Sequence, residues 1–391
     1  MVTRGLLEKF FQAASIQRWN DHIRPVELTE LDKQAHKMVL AYLLGRFEET
    51  ERGAKIDWSQ LIEGGIIEFL QRVILTDIKA PIYHKMMAKR GREINAYVLK
   101  KLAPDLKAVG GGFQDRFERY LSDTDPEFAR LEKRILKAAH YLATNWEFRI
   151  IYNICPFIYG IEKTKEEIEN QIEDHYDLIG VQKISLNKKS FGFMDLCGQL
   201  RFQQRWAHSP RIPKTSVLGH MLIVAMMTYF YSREQDACPK RIYNNFFGGL
   251  FHDLPEVLTR DIIHPIKSDV EGLQETIKEY EQIQIEEQLL PLLPADWHAE
   301  IRYFVTDEFA NRIMKRGQRV LLPAGTLDKK YNRDEFSPCD GRLIRICDEF
   351  AAFIEAALSI EHGIKSRPLV ETYEKYKTMK ISGATFGRLF S

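Results

Sequence analysis

Closely spaced cysteines are missing from this sequence of 391 residues, which has five scattered cysteines and no C-x-x-C pair. Disulfide frameworks and zinc ribbons need such pairs, so the pattern predicts reduced thiols in a cytoplasmic protein. An excess of charge of one sign is missing as well, since 56 Lys and Arg face 55 Asp and Glu. Nucleic-acid-binding proteins usually have a basic excess, so we do not expect a nucleic acid as the partner.

Long apolar runs are also absent. The best one, residues 217–227, falls well short of the about eighteen residues of a membrane-spanning helix, and it contains His220. Arg4, Glu8 and Lys9 lie where a secretory signal would need an apolar core. We therefore expect a soluble chain with no membrane partner.

Apolar residues recur at steps of three and four, the period of an amphipathic helix, over most of the chain. This period predicts helices at 6–16, 31–47, 66–76, 128–148, 276–290 and 343–360. Strand patterns are few, with weak candidates at 181–186 and 319–322. Because 45% of the residues are hydrophobic, the chain can bury a core, and the predicted fold class is all-α.

The two halves of the sequence resemble each other. Four elements of the first half recur in the same order in the second: residues 17–19 as 204–206, His36 as His220, the double glycine 64–65 as 248–249, and 136–148 as 344–356. The last pairing sets His140 opposite Asp348. This order predicts two copies of one helical bundle, at 1–180 and 181–391.

The second copy contains four residues of the types that bind transition metals: His220, His252, Asp253 and Asp348. Two imidazoles and two carboxylates form a mixed nitrogen and oxygen set that suits one divalent Mn, Fe, Co, Ni or Zn ion. The helix around His220 is apolar nearly all round, so this imidazole should be buried and must find a partner. Each residue alone is more often structural, but the set of four favours a metal site.

Five motifs surround these residues: Arg205-Trp206, Ser216-Val217 ahead of His220, the run from His252-Asp253 through Glu256 to Asp261, Pro265-Ile266-Lys267, and Cys347-Asp348. On these motifs residues 190–360 resemble the HD-domain phosphohydrolases, and among them most closely the bacterial 5′-deoxynucleotidases. The resemblance implies removal of phosphate from nucleotides, in particular 5′-(deoxy)nucleoside monophosphates, by attack of a metal-bound water.

The resemblance also implies a role for each matched residue. The metal ligands would be His220, His252, Asp253 and Asp348. Glu256 and Asp261 would orient the attacking water or transfer its proton. The substrate-binding residues would be Arg205, Trp206 and Lys267. Trp206 would pack against the sugar where a 2′-hydroxyl would otherwise lie. For Lys267, a solvated charge in a loop is about as good an explanation as a contact with the phosphate.

Two features depart from the family pattern. Gly219 stands where many members have a glutamate before the first histidine. Residues 316–339 form a polar segment that has no counterpart of equal length in the first copy, and such long loops are usually functional or disordered. We expect this insertion to lie over the pocket and to alter the choice of substrate.

The first copy has lost most of the matched residues. Glu68-Phe69 stands where the second copy has the His-Asp pair. Arg72 stands in place of Glu256, and His140 in place of Asp348. Only His36 and Asp77 keep the residue type of their counterparts. Because a phenylalanine cannot bind a metal, we interpret residues 1–180 as a degenerate, catalytically silent HD-like domain. Because the related enzymes are homodimers, the resemblance implies that the two copies form an internal pseudo-dimer. The first copy is then either a packing partner alone or a regulatory nucleotide site.

Other functions stay open at this level. Within the same class these are a triphosphohydrolase, a cyclic-nucleotide phosphodiesterase and an alarmone hydrolase, although a two-metal phosphodiesterase would need more histidines than His264. From a different class comes a non-catalytic nucleotide-sensing or scaffold protein built on HD-like bundles. Glu256 and Asp261 argue against it, because a retired site has no chemical need for them.

Overall fold

The computed structural model describes residues 2–76, 78–122, 131–259 and 273–390. The chain divides into two compact units, Met1–Gln182 and Lys183–Ser391. Helices dominate the described part of both units, and the strands there are few and short, which confirms the all-α fold class. None of the described helices combines the length and the apolar character that crossing a bilayer would require.

Unit 1 consists of helices. They are α1 (Arg4–Gln12), α2 (Glu30–Arg52), α3 (Trp58–Leu75), α4 (Ala80–Val109), α5 (Phe113–Ser122), α6 (Leu131–Ile154) and α7 (Ile161–Glu173), followed by α8 (Ile179–Ser185) at the border with unit 2. Helix α2 is buried over most of its length and packs on α6 and α3. Thr29 caps its first turn by accepting a hydrogen bond from the amide of Asp32.

Unit 2 has the same kind of helical core. Its helices are α9 (Lys189–Gln199), α10 (Val217–Glu234), α11 (Pro239–Phe251), α12 (Glu256–Thr259), α13 (Leu273–Gln284), α14 (His298–Val305), α15 (Gly341–Glu361), α16 (Arg367–Tyr376) and α17 (Phe386–Leu389). Helix α10 lies at the centre, against α11 and α15. Gly249 permits the close approach of α11, because a Cβ there would lie 3.0 Å from the Cα of Ala225.

The strands of unit 2 belong to small sheets. Strands β1 (Asn311–Lys315), β2 (Gln318–Leu321) and β3 (Cys339–Asp340) form an antiparallel sheet in the order β2-β1-β3. Strands β4 (Lys380–Ile381) and β5 (Ala384–Thr385) form a second pair. The short strand expected at 319–322 is confirmed as β2. The strand expected at 181–186 is wrong, because Leu178, Val181 and Ile184 are buried at the three-residue spacing of a helix, which is α8.

The insertion 316–339 is a packed part of unit 2 rather than a loose loop. Arg241 pairs with Asp328 at 2.6 Å, Asn244 donates to the backbone of Ser337 and Pro338, and the amide of Cys238 donates to Asn332. These partners lie at the N-cap and in the first half of α11, roughly 10 to 20 Å along the helix from its carboxyl end at Phe251. Another part of the insertion lies elsewhere, since Arg319 contacts Thr306 and Asp307. The expectation that the insertion lies over the pocket stays a prediction.

The segments that precede α2 and α10 have the same backbone hydrogen bonds. Gln17 bridges to Thr29 as Gln204 bridges to Ser216. The residues two positions after these glutamines, Trp19 and Trp206, have nearly equal positive φ angles of 55° and 58°. A bulky residue at such a φ is uncommon, so its presence at both places is informative.

Counting from the helix caps changes one pairing of the two halves. Thr29 caps α2 and Ser216 caps α10, and the fourth residue after each cap is Lys33 and His220, respectively. Counted from the caps, Lys33 stands opposite His220, whereas the offset of the double glycines pairs His36 with His220. The caps offer a second possible pairing, which a comparison of residue types alone does not reveal.

Candidate metal centre

His220 lies in the first turn of α10, inside unit 2. Ser216 accepts a hydrogen bond from the amide of Gly219 at 2.9 Å, which fixes the start of the helix. Residues 217–232 are all buried, and the His220 side chain has no exposed surface. Gly219, where the family pattern has a glutamate, is thus part of a capped and fully buried turn.

His252 and Asp253 follow directly after α11. Pro239 stands at the first position of this helix, where its missing N–H costs nothing. The helix ends at Phe251, and residues 252–255 form tight turns in which the amide of Glu256 donates to the carbonyl of Asp253. Pro255 explains the end, because proline has no N–H and disfavours a helical residue before it.

The hydrogen bond of His252 determines which ring nitrogen can bind a metal. Its Nδ1 lies 2.8 Å from the carbonyl oxygen of Gly249 and must donate, because a carbonyl only accepts. In the neutral imidazole the proton is then on Nδ1, and Nε2 has its lone pair available. Such a second hydrogen bond is typical of metal-binding histidines.

Asp348 lies on α15 and brings the third element to the site. Its Oδ1 is 2.9 Å from His220 Nε2, and the ligand atoms of His220, His252 and Asp348 all lie within 4.8 Å of one another. Asp253 Oδ2 is 3.1 Å from His252 Nε2 and 3.9 Å from His220 Nε2. The structure therefore brings together all four predicted ligands, although they are far apart in sequence.

These atoms fit a divalent ion. Nδ1 of His220 is buried without a hydrogen-bond partner among the described residues, and the two buried Nε2 atoms face the oxygens of Asp348 and Asp253 at 2.9 and 3.1 Å without a well-directed hydrogen bond. A buried polar atom without a partner costs about 1–3 kcal/mol, and a bound cation would remove that cost for the two Nε2 atoms. Ligands at about 2.1 Å from one ion lie roughly 3 to 4 Å apart, which is the range of the separations given above.

The charges around the site also favour a cation. Burial and the nearby Arg205 lower the pKa of His220, which keeps this imidazole neutral. Burial would lower the pKa of His252 too, but the Asp253 and Asp348 carboxylates outweigh it and raise that pKa to about 9. Burial opposes ionisation of Asp253, yet His252 and His220 hold its pKa below the usual value. Two ionised carboxylates thus point at one small space.

Arg205 connects the ligand carboxylates with a buried carboxylate behind them. Its guanidinium lies 3.6 Å from Asp253 Oδ2, 3.8 Å from Asp348 Oδ1 and 3.7 Å from Glu355 Oε2. Trp206 donates its indole N–H to Glu355 at 2.9 Å. The predicted substrate-binding pair therefore lies beside the metal ligands.

Glu355 was not identified from the sequence. It is fully buried on α15, accepts a hydrogen bond from Thr215 and lies 3.4 Å from Arg211. Burial would raise its pKa, but Arg211 and Arg205 lower it to about 2. Its position seven residues after Asp348, two turns along the same helix face, is the signal that could have revealed it.

Glu308 was missed in the same way. Burial raises the pKa of this carboxyl group, and the charges of His252 and Asp253 act on it, which places it in their neighbourhood. The ring of the next residue, Phe309, lies 6.1 Å from the ring of His252. No spacing in the sequence relates this loop after α14 to the His-Asp pair.

The remaining predicted residues are placed less completely. Glu256 is half-buried at the start of α12, and its carbonyl accepts a hydrogen bond from Gln203. Helix α11 ends at Phe251, so Glu256 does not lie one turn beyond His252 on the same continuous helix. Asp261, Lys267 and the first copy's Asp77 lie outside the described residues.

Residues 197–377 match the family model of the HD domain. The match contains all four candidate ligands and assigns this part of the chain to the HD-domain superfamily, whose members are usually metal-dependent phosphohydrolases. No curated protein matches the chain significantly.

Proposed function

We propose that the HD domain of unit 2 hydrolyses the phosphate ester of nucleoside 5′-monophosphates with the help of one divalent metal ion. The observation that carries this proposal is the convergence of His220, His252 and Asp348 within 4.8 Å, beside Asp253 and the guanidinium of Arg205. Two imidazoles and two carboxylates are a donor set for a transition metal, and an adjacent arginine suits a phosphate.

The four ligands would hold the ion through Nε2 of each histidine and one oxygen of each aspartate. When bound, such an ion polarises a phosphate oxygen and makes a water molecule more acidic. His252 is held in the required orientation by its bond to the Gly249 carbonyl. The ion identity is not specified by this set, which accepts Mn, Co, Fe, Ni or Zn.

Arg205 would bind the phosphate group of the substrate. Its guanidinium lies 3.6 to 3.8 Å from three carboxylates, close enough for attraction but too far for strong hydrogen bonds. A phosphate next to the ligand carboxylates would therefore find donors that are already charged and oriented. Because phosphoryl transfer depends mainly on positioning and charge neutralisation, Arg205 would serve both.

Trp206 would set the preference for the sugar. Its N–H is bonded to Glu355 and its ring is partly exposed, with the exposed His208 ring stacked at 6.5 Å. A ring held in this way would pack on a deoxyribose and clash with a 2′-hydroxyl. This choice of 5′-deoxynucleotides rests on the family resemblance.

Glu256 and Asp261 would orient the attacking water and transfer its proton, and Lys267 would contact the phosphate. Glu256 stands three residues after Asp253, in the turn that ends α11. A carboxylate within hydrogen-bond reach of the attacking water could accept its proton. The roles of Asp261 and Lys267 rest on the family resemblance alone.

Residues 1–180 would be a second, degenerate HD-like bundle that is catalytically silent, and the two bundles would pair as an internal pseudo-dimer. This proposal is supported by the equal backbone bonds at Gln17 and Gln204. It is further supported by Gly64 and Gly248, whose built Cβ atoms would each lie 2.9 Å from the matched residues Leu136 and Ile344.

A phosphate-release assay tests the proposed function. The full chain is assayed with nucleoside and deoxynucleoside mono- and triphosphates and with cyclic nucleotides, each with Mn, Co, Mg or Zn and with EDTA. We expect the chain to release phosphate from 5′-monophosphates. EDTA should abolish this release, and the variant Asp348→Asn should not show it. The matched control Asp328→Asn, in the insertion, should retain it. If no substrate is hydrolysed and the purified chain has no metal, the non-catalytic alternative holds instead.

A further inference from the structure

Unit 1 contains a buried charged cluster at the positions that correspond to the metal centre. We call it the Lys33 cluster, and its members are Arg18, Glu30, Lys33, Lys37, Glu68, Arg72, His140 and Glu147. Each is buried or half-buried in the structure. It is distinct from the proposed active site, since all its residues belong to the other compact unit.

The correspondence can be read from the structure position by position. Lys33 and His220 are each the fourth residue after a helix cap, and Glu68 and His252 each follow a double glycine by three residues. A buried glutamate follows seven residues after His140 and seven residues after Asp348; these are Glu147 and Glu355. Each accepts a hydrogen bond at 2.9 Å from the indole N–H of a tryptophan, Trp19 for Glu147 and Trp206 for Glu355.

The replacements remove the metal ligands but keep a positive charge. Phe69, in place of Asp253, packs against Phe10 with ring centroids 6.1 Å apart and has no ligand atom. The Lys33 amine, which has no exposed surface, lies 2.5 Å from Nδ1 of His140, and burial lowers the pKa of this amine well below its usual value. A lysine amine therefore stands among the residues whose counterparts in unit 2 would surround an ion.

The carboxylates of the cluster are already engaged by other cations. Glu30 accepts from Arg18 at 2.8 Å, Glu147 accepts from Arg18 at 2.9 Å, and Glu68 pairs with Lys37. Among the described residues no carboxylate lies within ion-pair distance of Lys33. The cluster thus has four basic side chains and three carboxylates. A phosphate bound next to Lys33 would favour the charged form of this lysine, because a neighbouring negative charge offsets the cost of burial.

The cluster is open on one side. The side chains of Glu68 and Arg72 are 26% and 15% exposed, and His140 is half-buried. Arg72 lies 3.7 Å from Glu30 and stacks over the ring of Tyr83 at 5.4 Å, so part of its guanidinium remains available. Arg72 stands at the position of Glu256, which replaces a possible proton-transfer group by a group that binds anions.

We propose that unit 1 binds a phosphate monoester without hydrolysing it, with the ammonium of Lys33 in the role that the metal ion would have in unit 2. Arg72 and Lys37 supply the further positive charges. The Arg18-Trp19 pair, which matches Arg205-Trp206, would lie beside the bound nucleotide as that pair does in unit 2. Phe69 leaves no complete ligand set for an ion among the described residues, and the carboxylates of the cluster are paired with Arg18 and Lys37. The site is therefore a receptor for a nucleotide, and it works in the absence of metal.

Isothermal titration of the full chain tests this proposal. Unit 2 is silenced by His252→Ala with Asp253→Ala, EDTA is present, and the probes are deoxyadenosine 5′-monophosphate, inorganic phosphate and deoxyadenosine. We expect one site for the nucleotide, weaker binding of inorganic phosphate, and binding of the nucleoside at least tenfold weaker than that of the nucleotide. The silenced background separates this result from the proposed hydrolysis, which is measured on the unaltered chain.

Variants in unit 1 identify the groups that bind. In the silenced chain, Lys33→Met should weaken nucleotide binding at least tenfold while its methionine fills the same buried space. Arg72→Gln, at the open side, should weaken binding without any risk to the core. The matched control is Lys163→Met, since the Lys163 side chain is 80% exposed and lies outside the cluster.

Three outcomes would overturn the proposal. These are absence of nucleotide binding in the silenced chain, equal affinity for nucleoside and nucleotide, and unchanged affinity in both folded variants. A thermal melt of each variant shows that it is folded, and if Lys33→Met does not fold, Arg72→Gln alone decides the result.

Discussion

Trp206 donates its indole N–H to Glu355 over 2.9 Å, and this bond ties the proposed substrate-binding pair to the helix that carries Asp348. Glu355 has no exposed surface and faces Arg205 and Arg211 as well. One carboxylate therefore contacts four side chains, those of Trp206, Arg205, Arg211 and Thr215, and is not itself one of the candidate metal ligands. It is a positioning residue in the account given above.

Glu355→Gln tests that role. Glutamine keeps the shape and one acceptor oxygen but removes the charge, so Arg205 and Trp206 lose their orientation. We expect kcat/KM to fall about 10- to 100-fold, the usual effect of changing an outer partner, and mainly through a higher KM. The matched control is Glu371→Gln, at a 61% exposed side chain. An unchanged KM would show that Glu355 serves only the fold.

The stability of both units should fall in acid. Burial would raise the pKa of both Glu30 and Glu355. Arg18 and Lys33 nevertheless lower the pKa of Glu30 to about 2. Arg211 and Arg205 lower the pKa of Glu355 to about 2 as well. A carboxyl group whose pKa is lower in the folded state stabilises that state above its unfolded pKa, near 4.5. This contribution, about 3 kcal/mol for each group, is lost as the pH falls from about 4.5 to 2.

Urea denaturation at several pH values measures this effect. The unaltered chain should lose stability steeply below about pH 4.5, and Glu30→Gln and Glu355→Gln should each be less stable at pH 7 but less sensitive to acid. Equal acid sensitivity in all three chains would contradict the assignment.

Gly249→Ala should disturb the metal centre through the backbone. The new Cβ would lie 3.0 Å from the Cα and 3.2 Å from the N of Ala225, and backbone atoms cannot move aside as a side chain can. We expect a loss of about 1–3 kcal/mol in unfolding free energy, together with lower metal affinity, since Gly249 also holds His252. In Gly91→Ala, whose Cβ would meet only the end of Met87 at 3.8 Å, stability should be equal or higher.

Trp206→Ala should relax the preference for the sugar. If the indole ring occupies the space of a 2′-hydroxyl, its removal admits ribonucleotides. We expect the ratio of kcat/KM for deoxyadenosine and adenosine 5′-monophosphates to fall by about tenfold or more. Trp297→Phe, a change of a fully buried tryptophan elsewhere in unit 2, is the control. A constant ratio would remove Trp206 from substrate selection.

The sequence was sufficient for the features that depend on residue type and order. The period of the apolar residues predicted several of the helices, and the four candidate ligands were selected because two imidazole and two carboxylate groups occur together in the second half of the chain. The strand expected at 181–186 was wrong because a helix buries Val181 and Ile184 equally well. Helix α4 was not among the predicted helices, although it buries Val98, Leu102 and Leu106 at the four-residue spacing of a helix.

Features that depend on side chains from distant helices could not be predicted in this way. Lys33 is recognised as the counterpart of His220 only from the capped start of each helix, since the chemical types differ. The link from Glu355 to Trp206 joins residues 149 positions apart. The insertion 316–339 was expected to be a lid because it is polar and long, whereas its contacts with the start of α11 are specific to the folded chain.

The central claim is that His220, His252, Asp253 and Asp348 hold one metal ion and that hydrolysis depends on it. Elemental analysis of the purified chain, with phosphate release measured on the same samples, tests this most directly. We expect one divalent ion per chain, and the loss of both metal and activity in Asp348→Ala with His252→Ala. A metal-free chain that still hydrolyses nucleotides, or a double variant that keeps both metal and activity, would contradict the account.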